Sequence, residues 1–164
     1  MRVHLLAART QVPLPRAQVF GFFSDAANLE RITPPWLHFL ILTPGPIEVR
    51  AGTLIDYQLR LRGIPLRWRT RIEVWDPPNR FVDVQIRGPY ALWEHEHAFT
   101  DGTGGTAVSD RVRYALPFGP LGELVHAFVR RDLRAIFEYR QEAVRERLLG
   151  PAPSEAAAGA QDPL

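Results

Sequence analysis

The chain is predicted to be an α+β domain: a curved antiparallel sheet of about six to seven strands around one long C-terminal helix, with two short helices after strand 1. Three observations predict it. From Thr53 to Ala115, short runs of alternating apolar and polar residues are separated by Gly, Pro, Asn and Asp turns, which is the pattern of a strand meander. A helical apolar stripe of any length occurs once, between Leu121 and Leu149. Between the first strand and the meander, the prolines at 13, 15, 34 and 35 leave room only for short helices. A sheet with one apolar face needs a cover, and the last helix is the only element long enough to supply it. A sheet that curves around a single helix encloses space. Polar side chains aimed into that space are the candidates for function.

Val3 to Val12 reads as the first strand, closed by Pro13 and Pro15. Pro15 opens a short helix over Arg16 to Phe23, and Ser24 or Asp25 can cap a second one over Ala26 to Ile32. Trp36 to Thr43 is apolar and is expected to be a short strand before the breaker Pro44-Gly45-Pro46. Thr53 to Leu61, Leu66 to Trp75, Phe81 to Arg87, Ala91 to Phe99 and Thr106 to Ala115 are the remaining strands. The helix from Leu121 to Leu149 carries Val125, Phe128, Val129, Leu133, Ile136 and Phe137 on its apolar side. Residues 1–149 form one domain, and the Pro/Ala/Gly-rich tail from Gly150 to Leu164 is expected to be disordered.

Composition excludes several functions. With no cysteine, thiol catalysis, disulfides and thiolate metal sites are impossible. All 20 basic residues are arginine, but the net charge of +2 is too small to imply nucleic-acid binding. No apolar run reaches the ~18 to 20 residues of a membrane span, and the N-terminus turns polar too soon for a signal peptide, so a cytoplasmic protein is expected. There is no phosphate-cradling glycine loop before a helix and no Ser-centred elbow.

The most informative stretch is Ala91-Leu92-Trp93-Glu94-His95-Glu96-His97-Ala98-Phe99. As a strand it sends Trp93, His95, His97 and Phe99 to one face and Glu94 and Glu96 to the other, so both imidazoles point into the core. A four-residue loop over Asp101 to Gly104 would set His95 opposite Asp110, His97 opposite Val108 and Glu94 opposite Arg111. Pairing across Gly88 brings Asp83 beside His95 and Gln85 beside Trp93. The alternative, with Val82, Val84 and Ile86 inward, stays open. Pairing across Gly63-Ile64-Pro65 puts Tyr57 on the inner face with Trp68 and Thr70. On the outer face it sets Arg60 opposite Arg67 and Asp56 opposite Arg71. A like-charge pair of that kind costs stability unless an anion sits there, so the face around Arg60, Arg67 and Arg69 is a minor candidate for an anionic or acidic partner. A plainly solvated face is the ordinary alternative.

Val12-Pro13, Val19-Phe20-Gly21-Phe22-Phe23-Ser24-Asp25, Ile32-Thr33-Pro34-Pro35-Trp36-Leu37, Trp93 to Phe99, Gly105-Thr106 and Asp110-Arg111-Val112-Arg113-Tyr114 resemble the bacterial ligand-binding, polyketide cyclase/dehydrase-like branch of the START-like (SRPBCC) superfamily. The resemblance spans residues 3 to 149. It implies the helix-grip fold and an apolar ligand held between sheet and helix. It implies no single activity, because the superfamily mixes carriers, binders and cyclases.

The expected function is binding of a mostly apolar small molecule of lipid, polyketide or aromatic type, its polar end held by His95 and Asp110 with Asp83, Gln85 and His97. Tyr57, Trp68, Trp93, Tyr114, Phe128, Leu133 and Ile136 would form the wall. The alternative is a cyclase or dehydratase in which His95, oriented by Asp110, moves a proton. A satisfied, purely structural His95–Asp110 pair is the plainer possibility. His95-x-His97 with Asp83 or Asp110 has the ligand types of a zinc site, but the motif is short and common, so no metal and no cofactor is expected.

Overall fold

A computed structural model describes residues 1–150. In chain order the elements are β1 (His4–Val12), α1 (Arg16–Ser24), α2 (Ala27–Arg31), a 3₁₀ turn (Pro35–Leu37), β2 (Leu40–Ile41), β3 (Leu54–Leu61), β4 (Ile64–Asp76), β5 (Arg80–Arg87), β6 (Leu92–Gly102), β7 (Gly105–Ala115), α3 (Pro120–Leu124) and α4 (His126–Leu149). All pairings are antiparallel, in the order β1-β7-β6-β5-β4-β3-β2. The expected tail lies outside the described residues, apart from Gly150.

Proline chemistry explains the first departure. Pro34 and Pro35 start a single 3₁₀ turn, His38 follows at φ 44°, and only Leu40–Ile41 is left to pair with β3. The strand expected over Trp36 to Thr43 therefore shrinks to two residues, and Trp36 is exposed. The N-cap of α2 is Ala26, without a side-chain cap, rather than the expected Ser24 or Asp25, although Asp25 Oδ1 accepts from the Ala27 amide at 2.9 Å.

Two hairpins are tighter than expected. β3 and β4 join through Arg62 and Gly63, both at positive φ, in a two-residue loop that matches the twist of the strands. Tyr57 thus faces Trp68, and Asp56 faces Arg69. Arg67 lies opposite Gln58 and Arg60 opposite Pro65, so the Arg60–Arg67 clash expected from the sequence does not form. Arg69 does face Arg87 across the β4–β5 pairing, but Asp56 neutralises it through a two-pronged pair at 2.7 and 2.9 Å. Likewise β6 and β7 turn at Thr103-Gly104, with Gly102 opposite Gly105 and Gly104 at φ +77°. That slides the expected register by two residues. His97 pairs with Asp110, His95 with Val112, and Glu94 with Arg113, whose guanidinium it meets at 3.0 Å. A slip of two keeps every side chain on its face. β5 follows the reading with Asp83 opposite His95.

The C-terminal helix is broken. α3 ends at Leu124, Val125 takes φ −97° and ψ 0°, and α4 starts at His126. Two contacts hold the break: His4 Nε2 donates to Glu123 Oε1 at 3.0 Å, and the Tyr114 hydroxyl donates to His126 Nε2 at 3.1 Å. Gly122 presses against the Pro117 carbonyl, where no Cβ fits. The break turns Phe118, Leu121, Leu124, Val125 and Phe128 outward as an exposed apolar patch. Phe128 is therefore 56% exposed and forms no part of the interior wall. Farther along, Leu133 and Phe137 pack on Val112, Tyr114 and Leu116, while Ala143 and Val144 pack on Phe20, Phe81, Phe99 and Val108. No helix among the described residues is long and apolar enough to cross a membrane.

Candidate functional site

Strand alternation carries four titratable side chains to one inner patch: Asp83 from β5, His95 and His97 from β6, and Asp110 from β7. Neighbouring apolar positions lock the rings. His97 stacks on Phe81 with centroids 4.2 Å apart, and His95 meets the edge of Phe137 at 5.3 Å. The two imidazoles lie 3.8 Å apart. His95 Nε2 donates to Asp110 Oδ1 at 2.9 Å, and His97 Nε2 donates to Asp83 Oδ2 at 3.2 Å. His97 Nδ1 also lies 2.9 Å from Asp110 Oδ1, but its N–H is out of line and makes no hydrogen bond. Asp83 Oδ1 accepts from Thr70 Oγ1 at 3.3 Å.

The electrostatics follow from that geometry. Burial opposes ionisation of Asp110, yet the imidazoles of His95 and His97 overcome it and hold its carboxyl well below the usual range. Burial also opposes the charge on Asp83, and His97, His95 and Arg140 bring its pKa down in the same way. The imidazoles diverge. Burial works against a charge on His97, but Asp110 and Asp83 outweigh it and push the pKa up. Burial and the neighbouring His97 charge hold His95 down despite its bond to Asp110. The quartet thus joins two depressed carboxylates to one imidazole pushed toward the charged form, His97, and one pushed toward the neutral form, His95, as a coupled set.

Beside the quartet, between sheet and α4, lies a cavity of about 190 Å³. Its sheet wall is aromatic: Tyr57 stacks on Trp68 at 5.8 Å, and Trp68 meets Trp93 edge-on at 5.2 Å. Leu133, Ile136 and Phe137 close it from the helix, with Phe23 and Leu37 from the short helical segments. Asp83, His95 and His97 reach the cavity and Asp110 stands behind them.

The structure therefore brings together Tyr57, Trp68, Asp83, Trp93, His95, His97, Leu133 and Ile136 as expected, with Asp110 as their support. Three expected members are elsewhere. Gln85 clamps the β5–β6 turn, donating to the Tyr90 carbonyl at 2.7 Å and accepting from its amide at 3.3 Å. Tyr114 is 1% exposed, sealed in the second core cluster and bonded to His126. Phe128 faces solvent. Phe23, Leu37 and Tyr90 line the wall without having been expected there, and so does Arg140 of α4, whose Nε is buried without a partner. Its signal is spacing, since 140 lies seven residues after Leu133, four after Ile136 and three after Phe137, in the middle of the apolar stripe.

Asp83, His95 and His97 present ligand atoms within 4.8 Å of one another, as do His4, Glu123 and His126. In the first group Asp83 Oδ2 lies 3.2 Å from His97 Nε2 and 3.7 Å from His95 Nδ1, so these are the atoms that would hold a divalent ion. Of these contacts only His97 Nε2–Asp83 Oδ2 is a hydrogen bond; His95 Nδ1 lies beyond hydrogen-bond distance.

The model of a family described as polyketide cyclase / dehydrase and lipid transport matches residues 12–138. No curated protein matches the chain significantly. Among solved structures, the protein TTHA0849 from Thermus thermophilus superposes with a TM-score of 0.72 at 21% identity, covering 89% of this chain and 97% of that one. The ginseng major latex-like protein 151 from Panax ginseng gives a TM-score of 0.63 at 12% identity, covering 90% and 98%. A nucleoside-diphosphate sugar epimerase from Corynebacterium glutamicum is 25% identical with a TM-score of 0.62, covering 87% of this chain but only 29% of its own.

Proposed function

Because the chain belongs to the polyketide cyclase / dehydrase and lipid transport family, we propose that it binds a mostly apolar small molecule in the cavity between sheet and α4. The ligand's polar end would lie toward the wall where Asp83, His95 and His97 enter. The observation that carries this reading is the cavity itself: a space of about 190 Å³ lined by Tyr57, Trp68, Trp93, Leu133 and Ile136, with a few polar groups converging on one side. An apolar cavity of ~150 Å³ is enough for benzene, so a ligand body of one or two rings, or a short acyl chain, fits.

The acid–base alternative has less support. The Nε2 proton of His95 is committed to Asp110, and its Nδ1 faces the Asp83 carboxylate at 3.7 Å rather than open space. His95 lines the cavity but has only 5% of its side chain exposed, so it offers a substrate little surface. Binding is therefore the reading preferred over turnover.

The test is titration with naphthalene, followed by tryptophan emission. Saturable quenching is expected, and Ile136→Phe, which fills the cavity from its half-buried helix wall, should abolish it while leaving circular dichroism unchanged. Quenching that is absent, or untouched in a folded Ile136→Phe protein, would remove the cavity as the binding site.

A further inference from the structure

We infer that the polar end of the ligand is an anion, a carboxylate borne on an apolar body, and that Arg140 receives it; this rests on the cavity being a ligand site. The argument is one of hydrogen-bond and charge accounting on the cavity wall. Arg140 sits on the cavity-facing stripe of α4 between Phe137 and Ala143, where the helix otherwise buries only apolar residues. Arg140 is half-buried, so part of its charge meets solvent, but a guanidinium on a cavity wall favours a counter-charge there. Arg140 nonetheless has no carboxylate partner among the described residues. Its Nε is buried and unpaired, and the guanidinium carbon lies 5.8 Å from the centre of the Phe23 ring. Asp83, on which the charge of Arg140 acts, is held by His97 and Thr70.

Besides Arg140 Nε, the buried side-chain atoms without a hydrogen bond among the described residues are His97 Nδ1 and Trp68 Nε1, and the indole points the same way. Trp68, 7% exposed and also on the cavity wall, has its indole Nε1 without a partner. Indole and guanidinium nitrogens only donate. Asp83 Oδ2 accepts from His97, Asp83 Oδ1 shares the Thr70 hydroxyl with the Val84 carbonyl, and Asp110 Oδ1 accepts from His95. The buried, unpaired donors favour a ligand that brings acceptors. A planar carboxylate suits a guanidinium, which can meet it with two parallel bonds. The aromatic wall of Tyr57, Trp68 and Trp93 beside it accepts the apolar body. An arylcarboxylate or a short acyl carboxylate has this shape, whereas an alcohol or an amine does not answer the unpaired charge.

The probes are 1-naphthoate and 1-methylnaphthalene, near-isosteres that differ in the carboxylate, each titrated at pH 7 with tryptophan emission as readout. Wild type should bind 1-naphthoate about tenfold or more tighter, as expected for a hydrogen bond to a charged group. Arg140→Met keeps the apolar stem. It should bring the ratio of the two affinities to about one while leaving 1-methylnaphthalene unchanged, and Arg140→Lys should retain part of the preference. Should Arg140→Met fail to fold, Arg140→Gln reads the same ratio. The inference is overturned if wild type shows no preference for the acid, or if the preference survives in a folded Arg140→Met or Arg140→Gln protein. If 1-methylnaphthalene binds but the acid binds no tighter, only the anion falls; if neither binds, the ligand-binding reading falls with it.

Discussion

Asp110 stands between two imidazoles and favours the charged form of both, but burial and the neighbouring His97 charge outweigh it at His95. Both rings have the ordinary value of 6.5 in the unfolded chain. Folding raises His97 and lowers His95, so the two act on stability with opposite signs. The raised His97 contributes stability that is complete below 6.5 and lost as pH rises through its folded pKa. The lowered His95 contributes stability that is present above 6.5 and lost as pH falls through its folded pKa. Stability from this pair therefore peaks near 6.5 and declines on both sides. Imidazole nitrogen shifts followed by NMR should give a midpoint above 6.5 for His97 and below it for His95. Asp110→Asn should lower the His97 midpoint, because its main counter-charge is gone. Coincident or reversed midpoints would refute the charge assignment. The meeting of His95 with Asp110 was legible in the sequence, since strand alternation alone fixes the face and survives a two-residue slip. Arg140 was missed although its place in the stripe marks it, because a cation on an apolar stripe is easily taken for a solvated one and nothing in the chain's local pattern says what lies across from it.

Among the elements, the broken C-terminal helix separates two groups of apolar residues that a continuous stripe would join. Leu133, 5% exposed, is packed in the second core cluster, while Phe128 is 56% exposed. Leu133→Asp should therefore yield no folded protein, since an unpaired buried carboxylate costs several kcal/mol, on the order of the ~5 to 15 kcal/mol that holds a domain folded. Phe128→Ser should stay within about 0.5 kcal/mol of wild type, the usual range for a surface position. Thermal denaturation of the two variants decides it, and equal losses would restore the unbroken stripe. The break itself was not readable from the helix. It depends on His4 and Tyr114, which come from β1 and β7 and reach residues 123 and 126 only once the sheet has formed. The expected hairpin registers differ for a simpler reason. Thr103-Gly104 and Arg62-Gly63 are two-residue loops, and the expected registers absorb their glycines into longer turns, although a Gly in the second position is the mark of the tight form.

For the whole molecule, the sheet, the aromatic wall and α4 together enclose a cavity of about 190 Å³. The fold class was legible because periodicity and turn chemistry agree along nearly the whole chain. The size and lining of the cavity were not, because they depend on how far the sheet curves and where the helix breaks. The protein also presents a second apolar surface, the exposed patch of Phe118, Leu121, Leu124 and Phe128, and a hydrophobic probe could adhere there instead. The most direct measurement is the set of intermolecular NOEs between bound naphthalene and the protein's aromatic protons. Cross-peaks to the rings of Tyr57, Trp68 and Trp93, with none to Phe118 or Phe128, are the predicted result; cross-peaks confined to Phe118 and Phe128, or none at all, would contradict it.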